Sequence, residues 1–313
     1  MIKQSYSFDD LLLVPKFSEI TSRSLVDTSV EINGVLYSQP LIPANMQTVM
    51  GEEMATLLVQ NKSLAIMHRF CSIDEQLDIA SKVLKFGPEY FAVSVGVLER
   101  DKQNVSKFYD IGVRIFCIDI AHGDSAHCIE MIKFIKAFEG TMVIAGNVAT
   151  GKAAERLWNA GATVVKVGIG GGSTCLTRVR TANGVAQMTA IMDVAETKKR
   201  LERIYSKKLY FISDGGCKEA GDICKALCFA DMVMAGNLFA GTKEAPGKLL
   251  IGNSGAFHKE YVGSSTHKGK YVEGVKGMVP YKGEFLVVLE ELLEGVRSCC
   301  SYQGCNNLVD LKD

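Results

Sequence analysis

The sequence predicts an α/β fold, a (β/α)8 TIM barrel in a single domain spanning residues 1–313, on three observations. Eight short β-rich runs recur along the chain, stretches with helical spacing separate them, and the strand centres are evenly spaced with one exception. Alternating strands and helices imply right-handed βαβ units and a parallel sheet, and eight such units match a closed barrel better than an open doubly wound sheet.

The runs are Leu41–Ala44, Leu64–Met67, Phe91–Val95, Arg114–Ile118, Met142–Ala145, Val164–Val167, Leu209–Ile212 and Met232–Met234. Their centres lie 22 to 27 residues apart, except for a gap of 45 after the sixth. Ile129, Ile132, Phe134, Ile135 and Phe138 show helical periodicity between strands, as do Ala153, Ala154, Leu157 and Trp158. The extra length after the sixth strand, about 168–184, falls where barrels carry their chemistry, in a loop following a strand. After the eighth strand an irregular stretch rich in Gly, Lys, Ser and Thr, about 241–282, reads as a mobile flap over the same face. A helix from about Glu284 closes the chain.

Composition bounds the function. Hydrophobic residues make up 47% and charged residues 22%, ordinary for a globular protein with an ample core. Lys plus Arg and Asp plus Glu number 35 each, so no global field favours nucleic acid or an anionic membrane, and a phosphate must be held locally. No apolar run exceeds five residues and Met1–Ser5 lacks a signal-peptide pattern, so the expectation is a soluble, cytoplasmic protein. Most of the ten cysteines sit in apolar contexts and read as free buried thiols. With no CxxC pair and no histidine near Cys224 and Cys228, zinc is not expected.

Polar residues gather at the predicted strand ends: Asn45, His68, Arg69, Ser94, Asp119, Asn147, Lys166, Asp214, Gly236 and Asn237. Each alone could be a cap or turn residue; their repetition on one rim favours a site. The long loop places Gly168, Gly170, Gly171 and Gly172 before Ser173, Thr174 and Cys175. The glycines let backbone amides or carbonyls approach a ligand or ion. Cys175 is the one cysteine in a polar, glycine-rich setting, with Thr177 and Arg178 close behind. On the residues alone it fits a nucleophile or a structural thiol. Ser213-Asp214-Gly215-Gly216 and Ala235-Gly236-Asn237 end the seventh and eighth strands, where barrels often bind phosphate; two tight βα turns would look the same.

Taken together, Ala44-Asn45-Met46-Gln47-Thr48, Met67-His68-Arg69-Phe70, Ile118-Asp119-Ile120-Ala121-His122-Gly123, Ala145-Gly146-Asn147-Val148, Gly168-Ile169-Gly170, Cys175-Leu176-Thr177, Ser213-Asp214-Gly215-Gly216 and Gly283 resemble the inosine monophosphate dehydrogenase and guanosine monophosphate reductase family, in order and over nearly the whole chain. The Met-His-Arg-Phe and Asp-Ile-Ala-His-Gly strings resemble the reductase branch. That resemblance implies NADPH-dependent reductive deamination of GMP to IMP and ammonia, a step of purine salvage. Cys175 would form a covalent thioimidate at purine C2, with Thr177 and Glu273 handling the proton of the departing ammonia; without the resemblance Glu273 reads as a solvated loop carboxylate. The resemblance further implies a phosphate held by Ser173, Gly216, Gly236 and Asn237, a ribose held by Asp214, and Gly215 among the substrate-binding residues. It assigns the base to Gly263, Ser264, Ser265 and the stretch from Lys270 to Gly274. Ser22, Arg23, Arg69, Asp119, Ile120 and Ala121 match cofactor positions, and the carbonyls of Gly170, Gly172, Cys175 and Arg178 match a potassium loop. It implies a homotetramer. Gly171 stands where the family usually has proline, and Asn237 where it usually has Gly or Ser.

The dehydrogenase branch hydrolyses the same intermediate to XMP with a flap Arg-Tyr pair. This chain has no arginine between Arg203 and Arg297, and solvated lysines such as Lys268 and Lys270 are poor substitutes as a base. The regulatory domain many dehydrogenases insert after the second strand is absent as well. A dehydrogenase lacking that domain and a catalytically silent nucleotide-binding barrel are the alternatives.

Overall fold

The computed structural model describes residues 4–173, 175–252, 255–263, 266–267, 270–271 and 276–312. Every predicted run becomes a strand: β1 (Leu41–Pro43), β2 (Ala65–Met67), β3 (Phe91–Val95), β4 (Ile115–Asp119), β5 (Met142–Val148), β6 (Val164–Val167), β7 (Tyr210–Asp214) and β8 (Met232–Ala235). All pairings are parallel, in the order β1-β8-β7-β6-β5-β4-β3-β2. β1 and β2, the ends of that ladder, pack against each other, and just before them the Ser38 N–H donates to the Lys62 carbonyl at 2.9 Å. The sheet is thereby a barrel, as the strand spacing predicts.

Both faces of each strand are covered, which is why the runs are continuously apolar rather than alternating. Ile42, Ile66, Ala92, Cys117, Ile144, Ile212 and Met234 fill the interior. Their neighbours Leu41, Val93, Phe116, Val165, Phe211 and Val233 face the helices. A hairpin of Val30–Ile32 and Val35–Tyr37 turns through Asn33 and Gly34, both at positive φ, and adds Val30, Ile32 and Tyr37 to the interior cluster. At the other end the inward positions are polar. Counting by twos from Ile115 gives Cys117 and Asp119; from Tyr210, Ile212 and Asp214; from Val164, Lys166.

The helices are α1 (Glu52–Gln60), α2 (Ile73–Val83), α3 (Glu99–Asp110), α4 (Ala126–Lys136), α5 (Gly151–Ala160), α6 (Thr177–Thr181), α7 (Gln187–Tyr205), α8 (Ala220–Leu227), α9 (Asn237–Ala240) and α10 (Phe285–Gln303). Ser72, Ser125 and Thr150 begin three of them, each side chain accepting the backbone N–H three residues on. Such caps each contribute ~1 kcal/mol. The long sixth gap holds the glycine loop, the short α6 and the 19-residue α7.

The stretch after β8 differs from the irregular segment expected. It contains an antiparallel sheet of β9 (Leu249–Ile251), β10 (Phe257–Val262) and β13 (Lys276–Pro280), with a ladder of β11 (Thr266–His267) and β12 (Lys270–Tyr271). Buried Lys259 fixes its base: Nζ donates to the carbonyls of Thr242 and Lys243, both at 3.0 Å, and to that of Ala245. A lysine inside a ring of carbonyls stays solvated by protein, so its burial is not left uncompensated. No helix among the described residues is long and apolar enough to cross a membrane. All ten cysteines are unpaired thiols.

Candidate active site

The polar inward positions at the C-terminal ends of the strands meet in one network. Lys166 is 2% exposed, and its Nζ donates to Asp214 Oδ2 at 2.6 Å and Asp119 Oδ1 at 3.1 Å. β5 reaches β6 closely enough because Gly146 has no side chain; a Cβ there would lie 2.6 Å from Lys166 Cβ. Burial opposes the charge on Lys166, but the two carboxylates outweigh it and hold the ammonium above the usual lysine range. Burial likewise opposes ionisation of Asp119. Lys166, Arg69 and hydrogen bonds from Lys166 and Asn45 prevail, and its carboxyl is held below the usual range. Asn147 Nδ2 donates to Asp214 Oδ2 at 2.8 Å, and Arg69 Nε to the Asp119 carbonyl at 3.0 Å.

Asp214 is therefore fixed by two donors and still opens on a cavity of about 340 Å³. Gly215, with φ at +86°, follows it in that wall. Across the cavity the glycine loop brings Cys175 to its mouth, and the thiol donates to Thr177 Oγ1 at 3.2 Å. Gly170, at φ +86°, leaves room for the stem of Arg178, which a Cβ would strike. This lays Arg178 across Gly170 and Gly184, while the hydrogen bond of the thiol goes to Thr177.

The cavity gathers most of the predicted residues. Cys175, Thr177, Gly170 and Gly172 come from the loop; Asp214, Gly215 and Gly236 from the last two strands; Gly263 from the end of β10. Arg69, Asp119, Ile120 and Ala121 form the opposite wall. Ser173 and Gly216 in the adjoining loops, Arg178 in α6 and Asn237 at the start of α9 lie beside it without lining it. Ser22 and Arg23 are not brought here: they sit beside α10, where Arg23 Nε pairs with Glu294 at 3.0 Å. Ser264, Ser265, Glu273 and Gly274 lie outside the described residues, and so does the side chain of Lys270.

Among the lining residues given no role of their own from sequence are Tyr261, Lys166 and Asn147. Tyr261 on β10 lies over Gly236, where a Cβ would strike its hydroxyl. Lys166 looks like an ordinary rim residue until the strand parity aims it inward; Asn147 is out of phase with inward Ile144 and reaches Asp214 at a register shift between Gly146 and Val148. Asn147 Oδ1 is buried with no hydrogen-bond partner among the described residues. A second cavity, about 850 Å³, adjoins the first through Arg69, Phe70 and Gly263.

The model of the IMP dehydrogenase / GMP reductase domain matches residues 5–313. The chain belongs to the IMP dehydrogenase/GMP reductase family. GMP reductases of Acidovorax ebreus (strain TPSY) and Ligilactobacillus salivarius (strain UCC118) are each 38% identical over 98% of this chain and 94% of their own length. A crystal structure of a GMP reductase variant from Trypanosoma brucei, in complex with guanosine 5'-monophosphate, superposes with a TM-score of 0.89 at 25% identity, covering 99% of this chain and 94% of that one. Membership in the IMP dehydrogenase/GMP reductase family implies a nucleotide cofactor. The orphaned acceptor of Asn147 and the linked second cavity fit such a ligand. Among the described residues no cluster of His, Cys, Asp or Glu is arranged to hold a metal. The oxygens of the glycine loop suit only a hard cation. The carbonyls of Gly172 and Arg178 accept from Cys175 N and Ala182 N and each keep a second lone pair, and Gln187 Oε1 beside Gly171 is buried without a partner.

Proposed function

We propose that this family member is a GMP reductase, converting GMP and NADPH to IMP, ammonia and NADP+. The observation that carries the reading is the Cys175–Thr177 pair, 3.2 Å apart, facing the Asp214–Gly215 turn in one cavity. Relatives named GMP reductase over nearly the full length support it.

In this reading Asp214, held in place by hydrogen bonds from Lys166 and Asn147, accepts the ribose hydroxyls. The Gly215–Gly216 and Gly236–Asn237 turns and Ser173 take the phosphate, and Gly263 to Ser265 and Lys270 to Gly274 take the base. The Cys175 sulfur attacks purine C2, and the C2–N bond breaks as Thr177 and Glu273 pass a proton to the leaving amine. The result is a thioimidate and ammonia. Covalent capture divides one difficult substitution into two easier steps. NADPH, when bound, supplies the hydride that converts the thioimidate to IMP and frees the sulfur. Arg69 faces both cavities and presents a guanidinium suited to the phosphates of the dinucleotide. Ser22 and Arg23, remote from the cavity of their own chain, would serve a cofactor only from a neighbouring copy, in keeping with a homotetramer. Potassium would sit on the carbonyls of Gly170, Gly172, Cys175 and Arg178.

The test is spectrophotometric. Purified protein with GMP and NADPH should consume NADPH continuously, whereas IMP with NAD+ should give no sustained turnover to XMP. The reverse pattern would make it a dehydrogenase, and inactivity in both a silent binding barrel.

A further inference from the structure

Half of the cysteines gather where α8 packs on α10: Cys224 on the first helix and Cys228 at its C-terminal cap, Cys299 and Cys300 on the second, and Cys305 just beyond it. The two helices meet at Ala220 and Gly295, where a Cβ on Gly295 would strike the Ala220 Cβ. Cys224 and Cys299 each follow by four residues, so one turn further on they occupy the same facing stripe. The thiol of Cys224 reaches the Gly295 carbonyl at 3.7 Å and also interacts directly with Cys299. We propose that Cys224 and Cys299 are an oxidisable thiol pair, a site where a low-molecular-weight disulfide installs a reversible bond between α8 and α10.

Access and acidity differ between the two cysteines in the sense this needs. Cys299 is partly exposed while Cys224 is 4% exposed. The hydrogen bond from Cys224 holds the Cys299 thiol below its ordinary range and, with burial added, pushes that of Cys224 up. Cys299, the more accessible of the two, is the thiol an incoming disulfide meets, and Cys224 the resolving thiol behind it. The Cys299 thiolate attacks the small disulfide, forming a mixed disulfide and expelling one small thiolate. Cys224 loses its proton and attacks the Cys299 sulfur, expelling the second. Two protein thiols are oxidised and the small disulfide is reduced to two thiols. The other adjacent pair, Cys300 and Cys305, is 0% and 4% exposed and lacks the accessible partner. Burial pushes Cys228 up to about 12, which makes it a poor initiator.

The experiment treats the full-length protein with oxidised glutathione, quenches in acid, alkylates the remaining thiols and maps the peptides by mass. The expected result is a Cys224–Cys299 cross-linked peptide lighter by two hydrogens, reversed by dithiothreitol. It should be absent in Cys299→Ser and Cys224→Ser and retained in Cys300→Ser. Mapping the unmutated protein decides the matter even if a variant fails to fold. A lasting glutathione adduct on Cys299 with Cys224 still alkylatable, a cross-link between other cysteines, or full alkylation of both after treatment would each overturn the proposal. Cys175 is read in its own peptide, so its oxidation cannot be mistaken for this event, and turnover of GMP plays no part in the readout.

Discussion

Cys175 does chemistry that GMP binding does not require, so Cys175→Ala should bind GMP with unchanged affinity by calorimetry yet show no NADPH oxidation. Near-normal turnover would remove the thiol from the mechanism. His68 makes a different, pH-dependent prediction. It is 5% exposed, its Nδ1 accepts the Phe70 N–H at 3.0 Å, and burial lowers its pKa from 6.5 to about 4. Neutral histidine is thus the folded form, and the unfolded chain binds the extra proton first. This contribution is fully present above about pH 6.5 and is lost as pH falls towards 4, by at most ~1.4 kcal/mol per pH unit. Urea midpoints across that window should fall more steeply for the parent protein than for His68→Gln; identical slopes would refute it. Among single residues, Cys175 was legible because its setting is unlike that of the other nine thiols. Lys166 was read only as one polar residue of the rim, because its partners lie 47 and 48 positions away and only barrel closure aims all three inward.

At the scale of elements, the eight strands were legible because each is covered on both faces and reads as an apolar run. The sheet of β9, β10 and β13 was not, because β10 reads Phe257-His258-Lys259-Glu260-Tyr261-Val262 and its buried face carries a lysine. Only the carbonyls of Thr242, Lys243 and Ala245 make that lysine a core residue. Tyr261 shares its face two positions on and reaches the cavity. Lys259→Met leaves those carbonyls without their donor. It should speed amide exchange in β10 and β13 and raise KM for GMP several-fold with a smaller change in kcat. Unaltered exchange in both strands would show that the sheet is held by other contacts. The hairpin through Asn33 and Gly34 was not read from the sequence, and that it adds Val30, Ile32 and Tyr37 to the barrel interior appears only with the fold.

Over the whole molecule, order and spacing of elements made the barrel readable, and the family match follows from motifs at its strand ends. The placement of Ser22 and Arg23 was not readable, because only the folded chain shows that the segment before the first barrel strand lies against α10. Arg69 does face both cavities of its own chain. Arg69→Ala should therefore erode the preference for NADPH over NADH in kcat/KM, and an unchanged ratio would free Arg69 from that role. The central claim is that the sulfur of Cys175 carries the purine and that no water is activated to release it. Mixing the protein with IMP and NADP+ isolates that claim, because the reverse hydride transfer forms the thioimidate and, without ammonia, has nowhere to go. Rapid mixing followed by intact-mass analysis should show a burst of NADPH not exceeding one per active site and a purine adduct on Cys175, with no XMP accumulating. Sustained NADPH formation with XMP as product, or a burst with no adduct on Cys175, would contradict it.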